Sequence, residues 1–244
     1  MLFVVYGQYK SASTFLARMA RYTCEAAGTE QDSIRKRLLI GPLADKRDFW
    51  EGGLEPIPSV ADQLRPGENM SIKSHSRFQP QFSTTFNRPD IQVIMSYRHP
   101  GDAALSAYEA GVRARTRNTD ANSGFAVLTT HRRAISRMAD HVNEKVTPWL
   151  KSGLVKAYPY HQVTQEASTV LAELRDMIGV SQDALDANTD LQDLLSGKQR
   201  TYNFNKGTSD RHKLVFSQED LDFLNDRCSR FIEFCEGKIA PEDL

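Results

Sequence analysis

Cysteine is scarce: the 244 residues contain three, Cys24, Cys228 and Cys235. They form no Cys-x-x-Cys pair and have no matching histidine spacing, so neither a disulfide framework nor a zinc site is expected, and the thiols read as reduced and mostly buried. Net charge is absent too, because 31 Lys and Arg meet 31 Asp and Glu, with six His in reserve. A dedicated nucleic-acid binder needs a net basic surface to neutralise phosphates, so that class is disfavoured, while a local basic pocket stays open. No apolar run approaches the roughly 18 to 20 residues that span a bilayer. The segment Met1 to Tyr6 shows neither a basic flank nor a cleavage pattern, so no membrane association is expected and the cytoplasm is the expected location. Asn69-Met-Ser71 fits the glycosylation sequon, which means nothing without a secretion signal. Internal repeats are missing as well.

What is present is an ordinary globular composition, 40% hydrophobic, 25% charged and 9% aromatic. A single α/β domain over residues 1–244 accommodates the length. Leu2-Phe-Val-Val-Tyr6 is a short continuous apolar run closed by Gly7, the pattern of a strand buried on both faces of a parallel sheet. A helix follows, with Phe15, Leu16, Met19, Ala20 and Cys24 at helical spacing and Gly28 as its stop. Residues 41–67 read as irregular surface chain. Met70 to His75 and Ile91 to Tyr97 read as strands, the second broken by His99-Pro100-Gly101. A helix is predicted from about Asp102 to Arg115, a polar linker over 116–124, and a long helix over Phe125 to Leu150. Leu154 to Tyr160 reads as a further strand, Thr169 to Ile178 as a helix, and the chain to Lys198 as a polar, acidic stretch. Ser217-Gln-Glu-Asp220 resembles a capping box before a final helix with Leu221, Leu224, Cys228, Phe231 and Cys235 on its buried side. Alternating strands and helices imply a central parallel sheet flanked by helices, with ligands at the carboxyl ends of the strands.

The first strand-to-helix turn reads Gly7-Gln-Tyr-Lys10-Ser11-Ala12-Ser13-Thr14, at the position where backbone N–H groups and a helix dipole hold phosphate. Against the Walker A pattern, Ala12 replaces the second glycine and Ser13 the lysine, and only Thr14 keeps the final hydroxyl. A Ser-rich helix cap beside an exposed lysine is the plain alternative. The other strand ends tip the balance. One finishes Lys73-Ser-His75 and another Arg98, and neither carries the carboxylate that a magnesium-dependent phosphotransferase uses to hold its metal. Lys10, Lys73 and Arg98 would therefore concentrate positive charge on one rim of a neutral protein.

In three separated segments the chain resembles the sulfotransferases that use 3′-phosphoadenosine 5′-phosphosulfate (PAPS). Lys10-Ser-Ala-Ser-Thr14 resembles the family's 5′-phosphosulfate loop, Pro-Lys-Ser-Gly-Thr-Thr, with Tyr9 for the Pro and Ala12 for the Gly. Tyr97-Arg98-His-Pro-Gly-Asp102-Ala-Ala-Leu-Ser106 resembles the 3′-phosphate segment, in which an Arg at the strand end and a Ser eight residues later hold that phosphate. Asn205-Lys206-Gly207, with Lys213 and Phe216-Ser217 after it, resembles the C-terminal Arg-Lys-Gly motif, and Ile72-Lys73-Ser-His75 resembles the Lys-Thr-His strand end. The chain departs from the pattern at Asn205, where an Arg is usual, at Asp210, where the second Gly is, and at His212, where a Trp is. Lys206 and Arg211 are the candidates to rebuild that grip.

The resemblance implies a P-loop-like sulfotransferase architecture and sulfuryl transfer from PAPS to a hydroxyl on a small molecule or glycan, leaving adenosine 3′,5′-bisphosphate (PAP) and using no metal. His75 then serves as general base, with Lys10 and Lys73 relieving charge on the departing phosphate. Lys10, Ser11, Ala12, Ser13, Thr14, Arg98, Ser106, Tyr160, Asn205, Lys206 and Gly207 are the expected nucleotide contacts, Tyr160 having a core role as its alternative. Trp50 is one candidate to stack on adenine. A divergent P-loop phosphotransferase and a non-catalytic nucleotide-binding protein are the competing readings. His131, His141 and His161 lack ligand spacing and read as structural. Asp186-x-Asn188-x-Asp190 starts like a calcium loop but has Leu191 and Gly197 where Gly and Glu belong. The arginines at 113, 115, 117, 132, 133 and 137 suit an acidic or carbohydrate acceptor or a solvated helix face.

Overall fold

A computed structural model describes residues 1–38, 49–50, 54–117, 123–198 and 209–244. Among the described residues, five strands form one sheet: β1 (Leu2–Gly7), β2 (Phe49–Trp50), β3 (Met70–Ser74), β4 (Ile91–Tyr97) and β5 (Val155–Pro159). Their order is β2-β3-β1-β4-β5, and every adjacent pair is parallel. Parallel neighbours require crossover connections, which here are mainly helical. The first half of the chain supplies α1 (Ser13–Ala26), α2 (Gln31–Arg37), α3 (Ile57–Asp62), α4 (Ser83–Phe86) and α5 (Pro100–Arg117). The second supplies α6 (His131–His141), α7 (Thr147–Lys151), α8 (Tyr160–Gln165), α9 (Ala167–Ile178), α10 (Gln182–Ala187), α11 (Thr189–Leu195), α12 (Arg211–Val215) and α13 (Gln218–Cys235).

The apolar run of β1 is explained by its central place. Phe3 and Val5 point into one core with Leu16 and Met19 of α1, Val170 and Leu174 of α9 and Leu194 of α11. Leu2, Val4 and Tyr6 point into the other, with Ala103 of α5, Ile135 of α6, Trp149 of α7 and Leu224 of α13. Alternation with period two thus feeds two cores, and each large apolar side chain fully buried contributes about 1.5 to 3 kcal/mol. The α/β architecture with helices on both faces is the one predicted. Among the described residues no helix is long and apolar enough to cross a membrane.

Four expectations change in detail. The long helix over Phe125 to Leu150 is instead a 3-10 turn at Ser123–Phe125, then α6, a wide π turn over Val142–Val146, and α7. Thr130 sets the later start, its hydroxyl accepting from Arg133 N–H at 3.2 Å. Pro148 explains the wide turn: it has no N–H for the preceding turn and fits only in the first turn of a helix, where it sits in α7. The apolar stripe Ile135, Met138, Val142, Val146 and Trp149 runs through both pieces, so periodicity alone reads them as one. Within 41–67, the stretch read as irregular, β2 and α3 form, α3 through Ile57, Val60 and Ala61. The acidic stretch before Lys198 folds as α10 and α11, capped by Ser181 and by Asn188, whose side chain accepts from Leu191 N–H at 2.9 Å. Ser217 caps α13 as predicted, and β3 stops at Ser74 rather than at His75.

Candidate active site

The carboxyl ends of β1, β3, β4 and β5 open on one rim, and the β1–α1 loop forms its centre. Lys10 (φ 63°) and Ala12 (φ 68°) are both left-handed, a conformation that strains residues bearing a Cβ by about 1 to 2 kcal/mol. Tertiary bonds hold the loop in that shape. The Ser11 hydroxyl lies 2.7 Å from Gln8 O, 2.9 Å from Ser96 O and 2.8 Å from Ser96 Oγ. The Gln8 side-chain carbonyl accepts from Arg98 N–H at 2.7 Å. Gly7 is needed for close approach, since a Cβ there would lie 2.1 Å from Ser13 Cβ. Ala12 caps α1 without a side-chain bond, so the first-turn N–H groups and the positive end of the helix face the rim.

Cations converge around this loop. Lys73 Nζ donates to Thr14 Oγ1 at 2.8 Å, and Lys10 Nζ stands 4.3 Å above the Phe125 ring. Burial, then the charges of Arg113 and Lys73, lower Lys10 to a pKa of about 8. Arg98 is buried, with Nη1 3.4 Å from Lys10 O and its guanidinium 4.0 Å over the Tyr160 ring at the start of α8. A guanidinium lying on a ring presents its N–H groups edgewise, the geometry that meets phosphate. Ser106, also buried, lies less than two turns into α5.

His75 leaves β3 with Nδ1 3.0 Å from Gly7 O. A carbonyl only accepts, so Nδ1 carries the proton and Nε2 the basic lone pair. Burial and the Lys73 charge hold the ring well below the usual histidine pKa, so it is neutral near pH 7. Tyr9 meets it edge-on at 5.0 Å and stacks on His141 at 3.9 Å. His141 Nε2 in turn accepts from Tyr9 N–H at 3.2 Å, and burial with the charges of Lys145 and Arg137 lowers its pKa to about 3. A histidine that reads as merely structural thus positions the loop.

On the far side of Arg98, Asp102 Oδ2 accepts from Asp210 N–H at 2.8 Å, and its Oδ1 meets His212 Nδ1 at 2.9 Å. His212 stacks on His99 at 4.4 Å, and a Cβ on Gly101 would strike its ring at 2.4 Å. Arg211 pairs with Glu109. Asp210, which stands for a glycine of the resembled motif, keeps the left-handed backbone at φ 61°.

Lys10, Ser13, Thr14, Lys73, His75, Arg98, Ser106 and Tyr160 therefore belong to one rim or its immediate support. The Ser11 side chain is committed inward to β4, and Ala12 contributes backbone alone. Asn205, Lys206 and Gly207 lie outside the described residues, as does the side chain of Trp50. Sequence reasoning misses Gln8, Tyr9, His141, Asp102 and the role of His212. The signals for two of them are a polar residue directly after a buried strand and a histidine on the apolar stripe of α6. Among the described residues, no group of three or more His, Cys, Asp or Glu could hold a metal ion.

In architecture the chain is similar to the mouse sulfotransferase SULT7A1 complexed with PAP, at TM-score 0.51 and 11% identity, over 97% of this chain and 88% of that one. It is also similar to retinol dehydratase in complex with androsterone and inactive cofactor PAP, at TM-score 0.50 and 15% identity, over 94% of this chain and 79% of that one. No protein-family model matches the sequence, and no curated protein matches it. The fold is the sulfotransferase fold.

Proposed function

We propose that the protein is a cytoplasmic sulfotransferase moving a sulfuryl group from PAPS to a hydroxyl of a small molecule or glycan, by in-line transfer without a metal. The observation that carries this reading is the neutral His75, its Nδ1 committed to Gly7 O, on the same rim as Lys10, Lys73 and Arg98. The donor supplies the activated sulfuryl group; the residues supply position, proton transfer and charge. His75 Nε2 accepts the proton of the attacking hydroxyl. Lys73, fixed by Thr14, and Lys10 neutralise charge growing on the departing 5′-phosphate, together with the first-turn N–H groups of α1. Arg98 and Ser106 take the 3′-phosphate, with Lys206 and Gly207 assigned to the same group. The left-handed Lys10 and Ala12 turn the loop backbone toward an anion, and the rim's cations suit two separate phosphates.

Calorimetric titration with adenosine 3′,5′-bisphosphate in EDTA, against ATP with magnesium, tests the reading. Metal-free binding that prefers the bisphosphate and weakens at least about tenfold in Arg98→Ala is expected, as for loss of a charge-assisted bidentate contact. Preference for ATP with magnesium would overturn it.

A further inference from the structure

Two tyrosines, one at the end of β1 and one in the loop after it, meet the His75 ring edge-on. Tyr6 lies 6.3 Å from it between ring centres, with the planes at 80°, and Tyr9 lies 5.0 Å away at 68°. Each tyrosine is backed by a ring from the arm made of α6 and α7. His141 stacks on Tyr9 at 3.9 Å and accepts its N–H, while Trp149 lies 5.5 Å from Tyr6. Trp149 also reaches the chain beside the histidine, its Nε1–H donating to Ser76 O at 3.0 Å. Tyr6, His141 and Trp149 are buried and Tyr9 is half-buried.

The spacing of the two supports gives the wide turn a role. Between His141 and Trp149 an unbroken α-helix would make about two and a quarter turns, leaving the tryptophan roughly 80° around the arm from the histidine. The π turn Val142–Val146 falls between them and takes up one residue more than an α-turn, so both rings come to about the same face. The Tyr6 hydroxyl, in turn, is buried with no hydrogen-bond partner among the described residues. A buried hydroxyl left unpaired costs free energy, so this position uses the ring rather than the polar end.

We propose that Tyr6, Tyr9, His141 and Trp149 are positioning residues, a brace that holds the His75 ring and so aims its Nε2. The bond from Nδ1 to Gly7 O selects the tautomer, but the outer torsion of a histidine is broad, and one bond does not fix where the second nitrogen points. A displacement of about 1 Å in a reacting group can cost about 10²-fold in rate. Tyr9 stands for the proline of the resembled loop, and a proline has neither the N–H that His141 accepts nor an aromatic ring to set against His75, so the brace belongs to this chain rather than to the motif. The use of Nε2 as a base rests on the transfer reading above; the brace rests on the ring contacts.

The test is heteronuclear NMR of the free, histidine-labelled protein near neutral pH, which reads which ring nitrogen carries the proton; the His75 signals are those missing from His75→Asn. Wild type should show one tautomer, protonated at Nδ1. Tyr9→Leu removes an edge-on ring from a half-buried loop position and His141→Ala removes its support, and each should raise the population protonated at Nε2 by about two- to tenfold, the worth of one aromatic pair. Tyr9→Phe and Tyr6→Phe keep the rings and should keep the wild-type tautomer. Thermal unfolding of each variant separates positioning from stability: a lowered midpoint with an unchanged tautomer marks the rings as core packing and overturns the brace. Protonation of Nε2 in wild type, or a shifted tautomer in either Phe variant, overturns it too. If His141→Ala does not fold, Tyr9→Leu decides alone. Titration with adenosine 3′,5′-bisphosphate is read separately: failure to bind overturns the transfer reading, and the tautomer of the free protein still decides the brace.

Discussion

His212 Nδ1 stands 2.9 Å from Asp102 Oδ1, with both side chains sealed from solvent, and this contact fastens the segment at 209–216 to the helix that carries Ser106. Burial alone would raise the Asp102 carboxyl, but the bonds from His212 and from Asp210 N–H outweigh it and hold the pKa at about 2. Because the folded value lies below the unfolded one, the stabilisation is complete above about pH 4 and is lost as pH falls toward 2; a lowering of this size corresponds to about 2 kcal/mol.

Asp102→Asn should therefore lower unfolding free energy by about 2 to 3 kcal/mol at pH 7 and speed amide exchange over residues 209–216. The difference from wild type should shrink at pH 3. Denaturant titration at both pH values checks it, and equal stability at pH 7 would contradict it.

His75→Asn keeps a donor near Gly7 O and removes the basic nitrogen. Transfer should fall by about 10² to 10⁴, the usual worth of a general base, with bisphosphate affinity within about twofold of wild type. In wild type, the acid limb of kcat/KM should fall below the ordinary histidine value of 6.5, because the neutral base persists until pH drops well under it. A limb at or above 6.5 would assign the base to another group.

Lys10, with a pKa of about 8, should make nucleotide binding pH-dependent in a defined direction. The bound anion favours the protonated amine, so binding should take up protons above pH 8. Affinity should drop by about tenfold for each further pH unit until the pKa of the complex is reached. Calorimetry in buffers of different ionisation enthalpy measures the uptake. Lys10→Met should weaken binding at pH 7 and flatten the profile.

Ala12 bears a left-handed backbone at φ 68° that glycine adopts without strain. Ala12→Gly should stabilise the protein by about 0.5 to 1 kcal/mol, the relief of strain exceeding the added freedom of the unfolded chain. Thermal unfolding checks the sign; a lower midpoint would mean that the methyl group packs better than its backbone suggests.

The rim was legible where its chemistry follows a contiguous pattern. A continuous apolar run closed by Gly7, a β-branched strand ended by Arg98, and Lys73 two residues from His75 each place a side chain with no knowledge of the rest. Ser106 followed from the resemblance and Tyr160 from its place at a strand end, with a core role as its alternative; its ring lies beneath Arg98. The pairings of Asp102 with His212 and of Tyr9 with His141 join residues more than a hundred positions apart, and no periodicity records such contacts. The wide turn before Pro148 escaped because the apolar stripe runs through it unbroken, while β2 and α3 are too short for a period to appear.

The bonds between the β1–α1 loop and the end of β4 have a metrical consequence. Ser11 is tied to Ser96, Gln8 to the backbone of Arg98, and Arg98 back to Lys10 O, so the loop and the guanidinium move as one body. On the proposed reading, their separation is a fixed gauge between two phosphate positions. Discrimination between nucleotides then depends on span as well as on charge, because a clamp tied in this way favours one separation between the groups it grips.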